Sequence, residues 1–165
     1  MSTITKLGGL VLASALVGGA LPANAQLAAH KDLTLNVALT MAETAAAMCT
    51  GQGYKVSVHV LGRDGEILVA MRGDGANPHT MENSMRKAYT SRMQRRPSGE
   101  FADAAKKNPT AGALHLDKMI PAQGALPINV DGDTIGAIGV SGSPGGDKDE
   151  ACAEAGIDKV SAQLK

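Results

Sequence analysis

The chain has 165 residues, with 16 basic and 16 acidic side chains and a formal net charge of zero at pH 7. This balance provides no overall positive field for nucleic acid or for an anionic membrane surface. The only aromatic residues are Tyr54, Tyr89 and Phe101, so the chain also lacks the ring platforms on which single-stranded nucleic acids stack. The composition therefore argues against a nucleic-acid partner and predicts a core of aliphatic residues, alanine and methionine.

The N-terminal segment has the pattern of a cleavable secretory signal. A basic residue precedes an apolar stretch at residues 7–21, and Ala23-Asn24-Ala25 provides a small-x-small cleavage pattern. The stretch is shorter than the roughly 20 apolar residues that span a bilayer, and the residue after the cleavage point is Gln26. A cysteine there would predict a lipid anchor. We therefore predict a signal peptide at residues 1–25 and one soluble domain at residues 26–165, periplasmic or secreted, with no membrane anchor.

The two cysteines of the chain are Cys49 and Cys152. In an oxidising compartment an even number of cysteines favours a disulfide over free thiols. Two buried thiols that act as small apolar residues are the alternative. A metal site is disfavoured because neither cysteine has a second cysteine or a histidine at ligand spacing.

Apolar periodicity predicts a helix followed by a hairpin in the first half of the domain. Apolar residues at intervals of three and four predict the helix over residues 33–50. Residues 56–60 alternate between valine and polar residues, as in a strand, and residues 67–72 form a second apolar run. Asp64-Gly65 between these segments predicts a two-residue type I′ turn, in which both residues have positive φ.

This turn predicts the register of the hairpin and the character of its two faces. One face is wholly apolar and is expected to carry the first helix. The other is mixed, as expected of a face that meets a site, a partner subunit or water. The expected pairs are Leu61 with Leu68, His59 with Ala70 and Ser57 with Arg72 on the mixed face, and Val58 with Met71 and Val60 with Val69 on the apolar face.

The sequence of the second half of the domain predicts helices before and after another hairpin. Thr80 is expected to cap a helix that Pro97 ends or kinks, and Ser98 to cap a shorter helix. Residues 108–124 have too little periodicity to assign. Asp131-Gly132 predicts the hairpin turn. The last helix is expected to open with a capping pattern formed by Asp147 and Glu150. The predicted fold class is α+β, or mixed α/β, on a largely antiparallel sheet.

Four histidines are candidates for ligand contacts. No two of them have the i, i+4 spacing of a helical zinc site. His59 is predicted on the mixed face of the first hairpin. His30, near the predicted start of the mature chain, and His79, in the loop before a helix, are the two most free to reach a ligand.

The segment 86–96 is basic and contains no acidic residue. A solvated helix face is one explanation, and a local anion site for carboxylates or propionates is the other. No nucleophile motif accompanies this segment, so the sequence assigns no catalytic residue. The basic residues of the segment are Arg86, Lys87, Arg92, Arg95 and Arg96.

Five short motifs occur in a fixed order along most of residues 26–165. They are Arg72-Gly73-Asp74-Gly75-Ala76, Arg86-Lys87-Ala88-Tyr89-Thr90, Arg96-Pro97-Ser98-Gly99-Glu100, Gly136-Ala137-Ile138-Gly139-Val140-Ser141-Gly142 and Asp149-Glu150. In this order they resemble the GlcG/HbpS-like family. The resemblance implies a five-stranded antiparallel sheet flanked by helices, homo-oligomers, and haem binding, with haem degradation described for some members. The chain departs from the family at residues 123–127, where members more often have paired glycines before the proline.

The resemblance implies that the ligand of the site is haem. The chain has no Cys-x-x-Cys-His motif, so the haem would be noncovalent. His79 or His30 is the expected iron ligand by residue type, with Thr90, Tyr89 and Met81 as alternatives. The cations Arg86 and Lys87 are expected to pair with the propionates.

Two other functions remain open. Some members of the family are encoded with glycolate-metabolism enzymes, which implies an enzyme or binding protein for a small hydroxy or oxo acid. Arg86 and Lys87 would then hold the carboxylate. The third interpretation is that the protein is an oligomeric interaction module without a ligand.

Overall fold

A computed structural model describes residues 28–165, and the predicted signal peptide at residues 1–25 lies outside the described residues. The chain forms a single α+β domain, as predicted, with helices and strands in the expected order. None of the helices in residues 28–165 is both long and apolar enough to cross a membrane. The elements are α1 (Leu35–Gly51), β1 (Ser57–Leu61), β2 (Ile67–Arg72), α2 (His79–Gln94), α3 (Ser98–Lys107), β3 (Ala125–Val130), β4 (Asp133–Ser141) and α4 (Gly146–Val160).

The sheet has four strands in the order β2-β1-β4-β3, and all neighbours are antiparallel. The resemblance implies five strands, whereas residues 28–165 form four. Each hairpin pairs its own two strands, and β1 and β4 join the hairpins with Ser57 opposite Ser141. We refer below to the Ser141 end and the Asp133 end of the sheet, after the two ends of β4.

The register predicted for the first hairpin is confirmed for all pairs from Ser57 with Arg72 to Val60 with Val69. The pairing of Leu61 with Leu68 is wrong, because a bulge shifts the register and Leu61 pairs with Ile67.

The turn of this hairpin also differs from the type I′ prediction. Gly65 has φ +79°, but Asp64 is not among the residues with positive φ. The N–H of Gly65 donates to the carbonyl of Gly62 at 3.2 Å, which gives a longer loop with a left-handed glycine before the bulge. The second hairpin has the predicted turn, because Asp131 (φ +51°) and Gly132 (φ +80°) are both left-handed.

Helices α1 and α4 pack on the apolar face of the sheet, as expected for the first helix. Their core includes Met41 from α1 and Ile138 from β4, both buried. Gly156 of α4 lies so close to α1 that a Cβ would come within 2.6 Å of the Met41 carbonyl oxygen. The predicted disulfide is confirmed: Cys49 and Cys152 are fully buried and bonded, with a Cα–Cα distance of 5.7 Å. It joins the last turn of α1 to the first turns of α4.

The three predicted helix caps are wrong, and the hydroxyl groups of Thr80 and Ser98 have other partners. Thr80 lies inside α2, and its hydroxyl is hydrogen-bonded to that of Ser57 at 2.7 Å. The Ser98 hydroxyl accepts from the N–H of Ala125. Helix α4 begins after a glycine with no side-chain cap, so Asp147 does not cap it.

Candidate functional site

Helix α2 covers the mixed face of the sheet, which we had expected to meet a site, a partner or water. The contact is polar: Ser57 is hydrogen-bonded to Thr80, and His59 Nδ1 lies 2.8 Å from the Ser84 hydroxyl. His59 is 4% exposed, and this burial lowers its pKa to about 4. The imidazole is therefore neutral at physiological pH and belongs to the packing between helix and sheet.

The basic residues of α2 do not form one cationic face. Lys87 points inward, where its Nζ lies 2.7 Å from Asp149 Oδ2 of α4 and donates to the carbonyl of Val140 at 3.2 Å. Both side chains of this ion pair are almost completely buried. Asp149 Oδ1 accepts from the backbone N–H and the hydroxyl of Ser143. Lys87 is thus already paired with Asp149 in this structure, and its contact with a propionate stays a prediction.

Gly124 lets the chain pass directly over this ion pair. Its φ is +132°, and a Cβ there would come within 2.7 Å of Lys87 Nζ and 2.8 Å of Asp149 Cβ. Glycine adopts this conformation readily, and any side chain at this position would collide with the ion pair. The segment where the sequence departs from the family, residues 123–127, therefore forms part of the wall around Lys87.

A polar cleft of about 430 Å³ opens beside the ion pair at the Ser141 end of the sheet. Its side chains come from the first three turns of α2, the end of β4, the loop before α4, the first turn of α4 and the segment before β3. Asn83 Nδ2 donates to the Ser141 hydroxyl at 2.9 Å, which links two of its walls. We call this the polar cleft, and its main polar residues are His79, Asn83, Lys87, Ser141, Ser143 and Asp149.

A second cavity of about 300 Å³ lies on the adjoining side of α2 and shares His79 and Asn83 with the polar cleft. We call it the α2 groove, and it is lined by His79, Glu82, Asn83, Arg86 and Ile120. It brings together His79 and Arg86, which the sequence assigned to the iron and to a propionate. Arg86 Nη2 donates to the Met119 carbonyl at 2.9 Å, while its buried Nε has no hydrogen-bond partner within residues 28–165.

His30 lies at the Asp133 end of the sheet, away from His79. It lines a cavity of about 390 Å³ with Arg63 and Asp133, and its Nε2 is 3.3 Å from Asp32. The neighbourhood of His79 is at the other end, where Thr80 is bonded to Ser57. The two histidines therefore cannot share one ligand site within a single chain.

The alternative ligand residues have different environments. Thr90 is fully buried, and its hydroxyl accepts from the N–H of Ile120 and lies 2.8 Å from the Arg86 carbonyl. Tyr89 is half-buried, with Lys118 Nζ 5.3 Å from its ring centroid. Met81 is also half-buried. The roles of these residues, like those of the histidines and cations, stay predictions.

The basic segment predicts a ligand contact for Lys87, but no pattern in the sequence predicts Asp149 as its partner or Asn83 and Ser141 as cleft residues. Lys87, Ser141 and Asp149 each lie in one of the motifs that carried the family resemblance. Motif membership was the available signal, but it does not indicate which motifs meet in space. In residues 28–165, no three His, Cys, Asp or Glu side chains are grouped closely enough to hold a metal ion.

Comparison with known proteins gives the family. Residues 33–158 match the family described as haem degrading protein HbpS-like. The chain belongs to the HbpS-like family. It is similar to a 15.0 kDa protein of Citrobacter freundii encoded in the dhaT-dhaS intergenic region, with 30% identity over 76% of this chain and 90% of that protein.

Solved structures share the fold of this HbpS-like chain. The crystal structure of HbpS has a TM-score of 0.77 and 35% identity, and covers 81% of this chain and 93% of HbpS. The crystal structure of a PduOC–haem complex has a TM-score of 0.71 and covers 77% of this chain and 94% of PduOC. At 22% identity this structural likeness shows a common fold and nothing more.

Proposed function

We propose that this protein is exported and binds haem noncovalently in the α2 groove. The observation that carries the proposal is the match of residues 33–158 to a family described as haem degrading. PduOC, a protein of the same fold, forms a complex with haem, which supports the proposal. Haem, when bound, would supply the redox chemistry of its iron, and this chain would supply the ligand, the propionate contacts and the shape of the groove.

The residues of the α2 groove fit the two kinds of contact that haem needs. His79 is exposed in the first turn of α2, so its imidazole would be accessible to a haem iron. Arg86 lies seven residues further along the same helix, a rise of about 10 Å. The Nε of Arg86 has no hydrogen-bond partner within residues 28–165, and the guanidinium would supply the positive charge for a propionate.

The size of the α2 groove indicates how the haem would be held. At about 300 Å³ it is at the lower end of the range for ligand pockets, roughly 300–1,000 Å³. The groove alone is therefore small for a whole haem, and a second subunit would supply the remaining contacts, consistent with the homo-oligomer that we also propose.

Hemin titration followed by absorption spectroscopy tests this proposal. We expect a saturable Soret change with the purified protein, and a shifted band with His79→Ala because the proposed iron ligand is lost. Arg86→Ala should weaken binding and leave the band in place. His30→Ala is the matched control at the other end of the sheet and should behave like the parent protein.

Two results of the titration would contradict the proposal. A spectrum identical to that of unbound hemin at every ratio would refute haem binding. A band that shifts with His30→Ala and not with His79→Ala would move the site to the Asp133 end. Haem degradation, which the family description carries, is tested on the same complex as loss of the Soret band when ascorbate and oxygen are added.

Export is tested separately from haem binding. We expect the mature protein in the periplasmic or culture fraction, with Gln26 as its N-terminal residue. A protein that retains Met1 and stays in the cytoplasmic fraction would contradict export, whatever its affinity for hemin.

A further inference from the structure

Two methionines of α2 lie on the flank of the helix that faces β2, beside the buried histidine of β1. We propose that His59, Met81 and Met85 bind one soft monovalent metal ion, Cu(I). The inference does not depend on haem binding, because neither His59 nor Met85 lines the α2 groove.

The hydrogen bonds of Ser84 fix the tautomer of His59. A serine hydroxyl has one proton, and that of Ser84 is donated to the Met81 carbonyl at 3.1 Å. The Ser84 oxygen therefore accepts from His59 Nδ1, which lies 2.8 Å away. Because the ring proton is on Nδ1, Nε2 keeps a free lone pair. Burial lowers the pKa of His59 to about 4, so this lone pair is available at neutral pH.

The free Nε2 of His59 is open on the β2 side of α2. It has no hydrogen-bond partner within residues 28–165, and it touches solvent. On the β4 side His59 lies opposite Gly139, where a Cβ would collide with the Ser84 carbonyl oxygen, so the backbone of α2 closes that side. On the β2 side His59 lies opposite Ala70, which is small and exposed. Solvent, and a metal ion, therefore reach Nε2 from the β2 side.

The methionines belong to a row of side chains on this same flank of α2. Tyr89 and Met93 mark the flank, because a Cβ on Gly65 in the β1–β2 turn would come within 2.9 Å of Tyr89 and 3.1 Å of Met93. Met85 and Met81 precede Tyr89 by four and eight residues. Residues four apart follow one another along one face of a helix, so the row continues through both methionines.

Met81 and Met85 lie at the level of His59 along the helix. Ser84, which is bonded to His59, directly precedes Met85 and is three residues after Met81. Helix side chains four residues apart start about 5–6 Å from each other, and methionine has three rotatable bonds. Both thioethers can therefore turn toward one ion at Nε2, and both methionines are half-buried rather than locked in the core.

The donor set selects the ion. One neutral imidazole and two thioethers bring no negative charge, and thioethers are soft ligands that select Cu(I). Mg²⁺ and Ca²⁺ take oxygen ligands instead, and Zn²⁺ takes thiolate, imidazole or carboxylate. Arg72 lies two residues beyond Ala70 on β2, and its positive charge opposes a divalent ion more than a monovalent one.

NMR of the methionine methyl groups tests the inference, in an anaerobic titration with Cu(I) added as its acetonitrile complex. Both cysteines are in the disulfide, so no thiol competes for the ion. We expect saturable shifts of the Met81 and Met85 methyl signals and of the His59 ring. The signals of the exposed Met48 and Met93 should stay in place. Zn²⁺ is the comparison ion and should leave the methyl signals of Met81 and Met85 unchanged.

Variants separate the ligands from the residue that orients them. Met81→Leu with Met85→Leu keeps the side-chain volumes and removes both sulfurs, so the shift of the His59 ring should be lost. Ser84→Ala removes the acceptor that holds the proton on Nδ1, and it should weaken Cu(I) binding by about tenfold. Met93→Leu is the matched control on the same row of α2, and it should leave the affinity unchanged.

Three results would overturn the inference. The first is the absence of saturable shifts at millimolar Cu(I). The second is an equal response of Met48 and Met93, which would show unspecific binding to exposed thioethers. The third is an unchanged His59 shift in the Met81→Leu, Met85→Leu protein, with the variant folded by circular dichroism. Arg86→Ala should leave the Cu(I) titration unchanged, so a failure of haem binding does not affect this test.

Discussion

Lys87 of α2 and Asp149 of α4 form an ion pair across the Ser141 end of the sheet, with 2.7 Å between Nζ and Oδ2 and with side chains that are 5% and 3% exposed. Helices α2 and α4 lie on opposite faces of the sheet. The pair therefore connects the two helical layers beyond the end of β4, and it forms one wall of the polar cleft.

Loss of one partner of this pair should destabilise the protein strongly. Lys87→Met leaves the Asp149 carboxylate buried without its cation, and we expect a loss of about 3–5 kcal/mol in the free energy of unfolding. Urea unfolding measures it. Lys106→Met removes the same type of side chain from the ion pair with Asp103, where Lys106 is 76% exposed. This control should leave the unfolding midpoint unchanged.

Simultaneous neutralisation of both partners distinguishes a buried charge from lost packing. Lys87→Met combined with Asp149→Asn removes both charges and keeps an oxygen that can accept from Ser143. We expect it to be more stable than Lys87→Met alone. A double variant that is less stable than either single variant would contradict this explanation.

The disulfide should account for a large part of the stability. Cys49 and Cys152 are 103 residues apart, and a loop of about this length is worth up to about 4.7 kcal/mol in the chain-entropy model, with about 2–4 kcal/mol more typical. We expect Cys49→Ala with Cys152→Ala to lower the free energy of unfolding by that typical amount. Two thiols per chain, counted under denaturing and nonreducing conditions, would contradict the bond.

His59 should make stability depend on pH. Burial lowers its pKa from 6.5 to about 4, so between these values the unfolded chain binds a proton that the native protein does not. The contribution of the neutral imidazole is complete above pH 6.5 and is lost as the pH falls toward 4. Each pH unit in this window costs at most about 1.4 kcal/mol.

Urea midpoints between pH 4 and pH 8 measure this effect. The parent protein should lose stability below pH 6.5 more steeply than His59→Gln, which cannot titrate there. His115→Gln is the control at an exposed histidine, and its curve should follow that of the parent. Parallel curves for all three proteins would show that His59 does not carry the dependence.

Arg92 should be replaceable without loss. It is 9% exposed, its buried Nε has no hydrogen-bond partner within residues 28–165, and burial, followed by the charges of Arg95 and Arg63, lowers its pKa. A buried cation without a close partner opposes folding. We expect Arg92→Met to keep or raise the melting temperature.

Arg63, unlike Arg92, has close partners of opposite charge. Its guanidinium pairs with Asp32 and Asp133 and donates to the Lys31 carbonyl. Arg63→Met should therefore lower the melting temperature. A lower melting temperature for Arg92→Met as well would show that Arg92 has a stabilising partner, such as a bound anion or a second subunit.

The parts of the fold that depend on local patterns could be predicted from the sequence. Alternating valines and the Asp131-Gly132 turn indicated both hairpins, because strand faces and turn conformations are set over a few residues. The bulge beside Leu61 was missed, since Asp64-Gly65 is compatible with more than one loop. The caps at Thr80 and Ser98 were wrong because each hydroxyl found a partner more than 20 residues away.

The candidate site depends on contacts that no local pattern contains. Lys87 and Asp149 are 62 residues apart, and Asn83 and Ser141 are 58 apart. The sequence showed a basic run and an acidic helix start, each consistent with a solvated surface. Their meeting follows only from the placement of α2 and α4 around the end of β4.

The disulfide between Cys49 and Cys152 covalently joins the two helices on one face of the sheet. It fastens α1 to α4, whereas α2, which lines the polar cleft and the α2 groove, has no disulfide to another element in residues 28–165. The position of α2 over the sheet therefore depends on noncovalent contacts alone, including its hydrogen bonds to β1 and its ion pair with α4.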